Sequence, residues 1–448
     1  MNGPGMPPGL KIAYYGDDFT GASDTLATAA QAGLKVLLFI DVPTPAQLAA
    51  AGPLDVLGIA GTTRSLAPDA MTPLLDRAGR FFASLDVPVT HYKVCSTWDS
   101  SPAVGNIGTA VEALLPHVNN RWVPFVGGQP NLGRYCLFGN LFASAGLGGT
   151  VHRIDRHPTM SRHPVTPMDE ADLRVHLARQ GFADMGLMTY PEYVQPAATL
   201  AGRLPPEPAP GSAPATTLFD IAAPDDLAVV GGLVWQRALH KRLLAIGPST
   251  VVQVLARHWG CSLNAAPESF VVASAASPVF LLCGSLSPVT AAQAAHSDAY
   301  VKLQLDPVAL GGNAPGYVER MRGEIASHLA AGRHVLAATA PPDGSGPTAG
   351  VPSIALARAS GTLLREVLDA VPLKRVGVAG GDTSSYALSA LDAWALGYGG
   401  ALSHGVPLCR IRSDAAGLDG LEIMLKGGQM GPPDLFDTLV HGTRARTT

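Results

Sequence analysis

Tyr14-Tyr15-Gly16-Asp17-Asp18-Phe19-Thr20-Gly21-Ala22-Ser23-Asp24 is the stretch that decides the fold. It follows a short apolar run, Ile12 to Tyr15, and opens a helical pattern from Ala22 to Ala32 that Gly33 stops. A strand, an acidic glycine-containing turn and a helix place that turn at the carboxyl edge of the first strand of a parallel α/β sheet, where ligands bind. The design recurs downstream, with Val376 to Ala379 as strand, Gly380-Gly381-Asp382-Thr383-Ser384 as turn and Tyr386 to Leu391 as helix. Two ligand-type turns in opposite halves predict a two-substrate enzyme with a cleft between two domains.

Composition narrows the class. A chain of 448 residues exceeds one ordinary core and predicts two domains. Net charge is −4 and basic residues are not clustered, which argues against a nucleic-acid surface. No uninterrupted apolar run approaches the ~20 residues of a membrane span. The N-terminal MNGPGMPPGLK has no apolar signal core, so secretion is not expected and the cytoplasm is. Five widely spaced cysteines (Cys95, Cys136, Cys261, Cys283, Cys409) form neither a disulfide framework nor a Cys-x-x-Cys pair, and read as reduced thiols.

Strand and helix signals alternate along the whole chain, predicting an α/β fold of two α/β domains with mainly parallel sheets. In the first half, strands are expected at Val36–Ile40, Val56–Ala60, Val89–Val94 and Trp122–Val126. Their polar or glycine-rich endings lie side by side on one edge of a doubly wound sheet, so Asp17, Asp18, Arg64, Lys93, Ser96 and Thr97 are expected to face one pocket. Pro196–Pro214 reads as a loop inside the first domain. The boundary is expected near Ala265–Ser277, giving domains 1–270 and 271–448. The second series has strands at Val279–Cys283, Tyr300–Leu305, His334–Thr339, Arg375–Ala379 and Leu421–Leu425, alternating with helices such as Tyr317–Ala331 and Ile354–Val371.

The residues leave several readings open. Of the paired carboxylates Asp17 and Asp18, one can accept a proton from a substrate hydroxyl while the other orients it, or both can cap the first helix, for which Thr20 is a further N-cap candidate. Arg64 can fork onto a substrate carboxylate or be a surface arginine. Lys93 ends a strand, and the Ser96 and Thr97 hydroxyls beyond it can bind a polyol acid or cap the helix after Pro102. His152-Arg153-Ile154-Asp155-Arg156-His157-Pro158 with Ser161-Arg162-His163-Pro164 is an anion-recognition loop, a metal site or an exposed polar loop. The segment from Val165 to Leu173 is expected to start a helix, with Pro167 in its first turn.

In the second half, Gly284-Ser285-Leu286-Ser287, Gly380–Ser384 and Lys426-Gly427-Gly428-Gln429-Met430-Gly431 are glycine turns of the kind that offer backbone N–H groups to an anion. Gly405-Val406-Pro407 reads as a lid for an adenine or ribose. Three such turns in one domain favour a nucleotide-phosphate site, with Gly381 as the position where a side chain obstructs the phosphates. No Gly-x4-Gly-Lys-Ser/Thr loop and no protein-kinase motif set is present.

Taken in order, these motifs resemble the four-carbon acid sugar kinases. The resemblance spans nearly the whole chain and rests on Gly16–Asp24, Thr63-Arg64, Lys93–Ser100, Gly105–Gly108, Thr166–Met168, Gly284–Ser287, Gly380–Ser384, Gly405–Pro407 and Lys426–Gly428. It implies an N-terminal domain that binds a sugar acid and a C-terminal domain that binds ATP, with Mg²⁺ bridging the phosphates. It assigns catalysis to Asp17 and Asp18 and acid binding to Arg64, Lys93, Ser96 and Thr97. The His157 and His163 loop is read as a further acid contact. ATP contacts fall on Ser285, Ser287, Gly380, Gly381, Asp382, Thr383, Gly405, Lys426, Gly427 and Gly428. Against the family pattern, Asp382 stands where glutamate is usual and Gln429-Met430 replaces a more typical Asn-Phe. The implied reaction is phosphorylation of threonate, erythronate, a 3-oxo-tetronate or a branched acid such as 3-oxo-isoapionate, in an enzyme that is expected to close over its substrates and to form a homodimer. A metal-dependent hydrolase or lyase built on the His152–His163 loop and a non-catalytic sugar-acid or nucleotide sensor are the rival expectations.

Overall fold

The computed structural model describes residues 5–146, 148–163, 165–263, 271–285, 287–339, 353–428 and 430–443. The chain separates into two compact units, Met1–Ala265 and Ala266–Thr448. The expected boundary at residue 270 falls in a stretch, 264–270, outside the described residues.

The strands of the first unit are β1 (Ile12–Gly16), β2 (Val36–Phe39), β3 (Val56–Ala60), β4 (Val89–Lys93), β5 (Trp122–Val126), β6 (Arg134–Leu137), β7 (Asn140–Ser144), β8 (Val151–Arg153), β9 (Gly186–Met188), β10 (Ala215–Phe219) and β11 (Leu243–Gly247). Its helices are α1 (Phe19–Gln31), α2 (Pro45–Ala51), α3 (Pro68–Ser84), α4 (Ile107–Leu114), α5 (Leu173–Ala178), α6 (Ala197–Arg203), α7 (Asp226–His240) and α8 (Thr250–His258). The main sheet runs β2-β3-β1-β4-β11-β5-β10-β9, parallel throughout. β1, β4, β5 and β11 are buried at every position, as expected where helices cover both faces of a parallel sheet. From β1 the chain leaves toward β2, and from β4 it leaves toward β5 on the other side. The loops therefore diverge between β1 and β4, the position where doubly wound sheets open a binding crevice.

The first helix starts earlier than its apolar period suggests, because Asp18 and not Thr20 is its N-cap. Likewise Pro167 opens no helix. α5 begins at Leu173 behind an Asp172 cap. α6 interrupts the Pro196–Pro214 loop. A side sheet, β6-β7-β8, is antiparallel beside the parallel main sheet. It is fastened by Asp220, which follows β10. This buried carboxylate accepts the backbone N–H groups of Phe138 at 2.6 Å, Gly139 at 2.9 Å and Tyr190 at 3.3 Å.

The second unit contains β12 (Val279–Cys283), β13 (Tyr300–Gln304), β14 (His334–Ala338), β15 (Arg375–Ala379), β16 (Ala393–Ser403), β17 (Val406–Ser413) and β18 (Glu422–Lys426). Its helices are α9 (Pro288–His296), α10 (Pro307–Gly311), α11 (Tyr317–Ala330), α12 (Ser353–Ala370), α13 (Gly381–Ala390) and α14 (Leu435–His441). Strand order is β13-β14-β12-β15-β18-β17-β16. The first five are parallel, and β17 is antiparallel to both neighbours. Here the connections diverge between β12, which leads to β13, and β15, which leads to β16.

Replacing Asp220 with Ala leaves three backbone donors without their acceptor. An unsatisfied buried donor costs about 1–3 kcal/mol. Asp220→Ala is therefore expected to lower unfolding stability by at least ~2 kcal/mol, and urea denaturation followed by circular dichroism measures it.

Candidate active site

Asp17 and Asp18 leave the end of β1, Arg64 follows β3, and Lys93 ends β4. Backbone hydrogen bonds lace these three loops together, from Asp17 N–H to Lys93 O and from Arg64 N–H to Asp17 O, both at 2.9 Å. The guanidinium then engages both carboxylates. Nε donates to Asp17 Oδ2 at 3.0 Å and Nη2 to Asp17 Oδ1 at 2.7 Å, while Nη1 donates to Asp18 Oδ2 at 2.7 Å and Nη2 to Asp18 Oδ1 at 2.9 Å. Four of the five guanidinium donors are thus taken within the protein. The expectation of an Arg64 fork free for a substrate carboxylate is corrected: the fork closes on the aspartates.

The two carboxylates differ. The Asp17 side chain is 4% exposed and that of Asp18 28%. Burial raises the Asp17 carboxyl above its ordinary value, and Arg64 works against that rise. Burial also works to lower Arg64, but Asp17 and then Asp18 outweigh it and hold the guanidinium well above its ordinary value. Asp18 caps α1 as well, its Oδ1 accepting from Gly21 N–H at 2.7 Å. Capping and a place in the polar site coexist in this one residue.

Lys93 is the unspent cation. It is 3% exposed, and its ammonium makes no hydrogen bond or close ion pair among the described residues. Its Nζ lies 2.2 Å from the point a Gly21 side chain would occupy, with Asp18 Oδ1 2.5 Å from the same point. Any larger residue at 21 would displace the ammonium. Beyond it, the Ser96 hydroxyl is half-buried with no hydrogen bond among the described residues, whereas Thr97 Oγ1 lies 3.0 Å from Cys95 Sγ. Neither caps the next helix, α4, whose cap is Asn106. Burial raises the Cys95 thiol, so it stays protonated.

Sequence reasoning missed the prop beneath this loop. Trp98 is fully buried with a left-handed backbone, φ +59°. Strain of that kind persists where surroundings over-determine it. Trp98 stacks on Phe125 with 6.3 Å between ring centroids, and its carbonyl accepts from Ser100 Oγ at 2.9 Å. Ser100 is held in turn by Gln180 at 2.9 Å and lies 3.0 Å from His176 Nε2.

The histidine loop departs from its expected role. His157 is buried, its Nδ1 accepts from Thr159 N–H and Met160 N–H at 3.2 Å, and its Nε2 lies 3.3 Å from Ser144 O. Burial lowers it, so the ring is neutral and both nitrogens are occupied. His163 Nδ1 is engaged by Thr166 N–H at 3.1 Å. Arg153 pairs with Asp155. Among the described residues no three His, Cys, Asp or Glu side chains gather as a metal site. Pro164 lies outside the described residues.

In the second unit, the three glycine turns converge because β12, β15 and β18 are adjacent strands. Gly284 N–H donates to Ala379 O and Gly380 N–H to Lys426 O, each at 2.9 Å. Ser287 caps α9, its Oγ accepting from Val289 N–H at 3.2 Å, and Ser285 Oγ accepts from Ser287 N–H at 3.1 Å. A side chain at Gly428 would meet Ser285 Oγ at 2.7 Å, and one at Gly284 would strike Thr383 Oγ1. Residues 381–384 prove to be the first turn of α13 rather than a loop. The constrained glycine is Gly380, with φ +133° and a Cβ position 3.0 Å from Thr383 Oγ1. Gly381 is open, with nothing within 4 Å. Gly405 is corrected from a lid to the turn of the β16–β17 hairpin, where a side chain would meet Met430 Cε at 2.5 Å. The hairpin turn thus abuts the third glycine turn, Lys426–Gly431, with Gly427 in its bend. Lys426 is buried, donates to Thr290 Oγ1 at 2.8 Å and Gly428 O at 3.1 Å, and is lowered by burial to about 8. Leu286, Gln429 and the Asp382 side chain lie outside the described residues.

The same division appears in family comparison. Residues 12–255 match a sugar-binding N-terminal domain, and residues 280–436 match a nucleotide-binding C-terminal domain. A 3-oxo-isoapionate kinase of Paraburkholderia graminis is 37% identical over 99% of this chain and 97% of its own. The chain belongs to the four-carbon acid sugar kinase family. A 3-oxo-tetronate kinase of Methylobacterium radiotolerans is 30% identical over 95% of this chain and 98% of its own. A Salmonella typhimurium protein described as a putative tRNA synthase shares the fold with a TM-score of 0.77 at 23% identity, covering 96% of this chain and 98% of that one.

Breaking a buried ion pair by removing one partner costs about 3–5 kcal/mol. Arg64→Ala is expected to do so near neutral pH, where it leaves the buried Asp17 carboxyl without its guanidinium partner. Asp17 already lies above its unfolded value, so the fold favours its protonated form, and losing Arg64 raises it further. The deficit against the natural protein therefore shrinks as pH falls from 8 toward 5, and melting temperatures of both proteins across that range measure it.

Proposed function

We propose that this protein, a sugar-acid kinase by family, transfers the γ-phosphoryl group of ATP to a hydroxyl of a 3-oxo sugar acid, with a branched acid of the 3-oxo-isoapionate kind as its substrate class. The observation that carries the reading is Lys93, a buried ammonium without a partner of its own beside a carboxylate pair. Lys93 takes the acid's carboxylate, with Ser96 and Thr97 on its hydroxyls. Arg64 holds the aspartates in place. Asp18, the more exposed of the two, orients the reacting hydroxyl and accepts its proton. The new bond joins that oxygen to the γ-phosphorus, the bridging β–γ bond breaks, and ADP leaves. Such transfer depends on alignment and on neutralised charge more than on covalent help.

ATP belongs on the second unit, against the turns at Ser285, Gly380 and Gly428, with the start of α13 presenting backbone N–H groups to the phosphates. Mg²⁺ enters as part of the MgATP substrate and neutralises phosphate charge. No helix among the described residues is long and apolar enough to cross a membrane. The cytoplasm, where ATP is abundant, fits this reading, and light scattering tests the accompanying expectation of a homodimer. The similarity to the Paraburkholderia graminis enzyme favours the branched acid over linear tetronates.

The test is ADP release with 3-oxo-isoapionate, 3-oxo-tetronates, threonate and erythronate. A charged hydrogen bond contributes about 1.5–3 kcal/mol, so Lys93→Met is expected to raise KM for the acid roughly 10- to 150-fold and leave KM for ATP unchanged. Asp18→Asn is expected to lower kcat about 10²–10⁴-fold. No ADP release with any of these acids overturns the reading.

Lys426 supplies a separate check on the nucleotide site. Its folded value of about 8 leaves it partly uncharged at pH 8, and arriving phosphates favour the charged form. ATP binding at pH 8 is expected to take up a proton, and Lys426→Met is expected to abolish that uptake. Calorimetry in two buffers of different ionisation enthalpy reads both.

A further inference from the structure

The row of polar groups along the carboxyl edge of the first sheet continues past Lys93. Asp24 lies on α1 one helical turn beyond Gly21, on the face that Lys93 overlies. Its Oδ2 accepts from Gln129 Nε2 at 3.1 Å and from Ser249 Oγ. Gln129 follows β5 and Ser249 follows β11, so this one carboxylate spans the next two strand ends beyond β4. Thr25 Oγ1 lies 2.9 Å from Ser249 Oγ and closes the cluster. Gln129 is 1% exposed and Ser249 fully buried.

The cluster is not internally saturated. Among the described residues, Asp24 Oδ1 and Gln129 Oε1 accept no hydrogen bond. Fastening α1 to the two loops uses only Oδ2 and the Gln129 amino group. The two free atoms are acceptors only, so the group they recognise is a hydroxyl donor and not a carboxylate or a keto oxygen. Their placement suits a short acid. Gly21 to Asp24 rises about 4.5 Å along the helix, and a four-carbon chain laid in zigzag spans about 4 Å. An acid whose carboxylate meets the ammonium over Gly21 brings its remaining hydroxyls to Asp24.

We propose that Asp24 and Gln129 form the specificity subsite that reads the non-reacting hydroxyl groups of the acid. The inference rests on the sugar-acid reading of the Lys93 site, and it extends the contacts to the Asp24 face of α1. A site that hydrogen-bonds a hydroxyl rejects an analogue lacking it, because its buried polar groups are left unpaired.

The experiment measures calorimetric binding, without ATP, of erythronate and of its 2-deoxy and 3-deoxy analogues to the full-length protein, and then kcat/KM for each with ATP. The natural protein is expected to favour erythronate over at least one deoxy analogue by about 10- to 100-fold. Asp24→Asn keeps the shape and an acceptor for Ser249, and it is expected to remove most of that preference by weakening erythronate alone. Gln129→Met is expected to act in the same direction and carries the test should Asp24→Asn fail to fold, as judged by circular dichroism and melting temperature. An undiminished preference in both folded variants, or an equal loss on all three acids, overturns the subsite. Discrimination in binding that depends on Asp24, with no ADP released, upholds the subsite and defeats the kinase reading. ADP release with the preference untouched does the reverse.

Discussion

The first unit is organised around one ionic contact, the closure of Arg64 on Asp17 and Asp18. A carboxylate as buried as Asp17 is costly to ionise unless a cation and hydrogen bonds compensate it. The planar fork of arginine meets that demand for two carboxylates at once, which a lysine ammonium, a compact point charge, does not. Because Asp17 also bonds through its backbone to both neighbouring loops, the same contact fixes the ends of β1, β3 and β4 against each other. Its chemical consequence follows directly. With Arg64 closed on the aspartates, Lys93 is left at this edge as a buried cation whose ammonium makes no hydrogen bond or close ion pair among the described residues.

Both units place their polar groups where the chain changes direction across a parallel sheet, between β1 and β4 in one and between β12 and β15 in the other. They meet different chemical demands there. The first unit gathers full charges, suited to a small acid and to moving a proton. The second gathers glycines, hydroxyls and helix starts, suited to phosphates that approach the backbone closely. Lys426 stands apart as a buried cation bound to Thr290 and to the Gly428 carbonyl, with a proton affinity lowered far enough to respond to added negative charge.

Much of this was legible in the sequence. Apolar runs such as Val279–Cys283 and Val56–Ala60 become buried parallel strands with the expected limits, since covered strands need no alternation. The strand-end motifs from Asp17 to Thr97, and the three glycine turns, converge as their shared edge demands. The antiparallel elements were not legible. β16 carries three glycines and pairs with β17 through irregular register, which blurs the strand period, so Gly405 reads as a loop and not as a hairpin turn. β6 to β8 are short and partly exposed, and the Asp220 contact that fastens them joins residues about 80 positions apart. Asp24 carries no local signal of its partners either. Ser249 is separated from it by 225 positions and Gln129 by 105.

The histidine loop shows why formal charge is a poor guide to a binding group. His152 to His163 is the segment richest in cationic side chains, and by composition it is the natural anion site. In the fold each of its groups with a described bond is already committed. His157 is neutral and gives both ring nitrogens to the backbone, His163 is engaged by Thr166, and Arg153 is paired with Asp155. Lys93 is a single charge between apolar neighbours in a strand, with no cationic cluster around it to draw notice. It is nonetheless buried with no hydrogen bond or close ion pair on its ammonium among the described residues, and its charge acts on the neighbouring Asp17 carboxyl. The accounting of which donors and acceptors remain unspent therefore ranks Lys93, and after it Asp24, above His157 and His163.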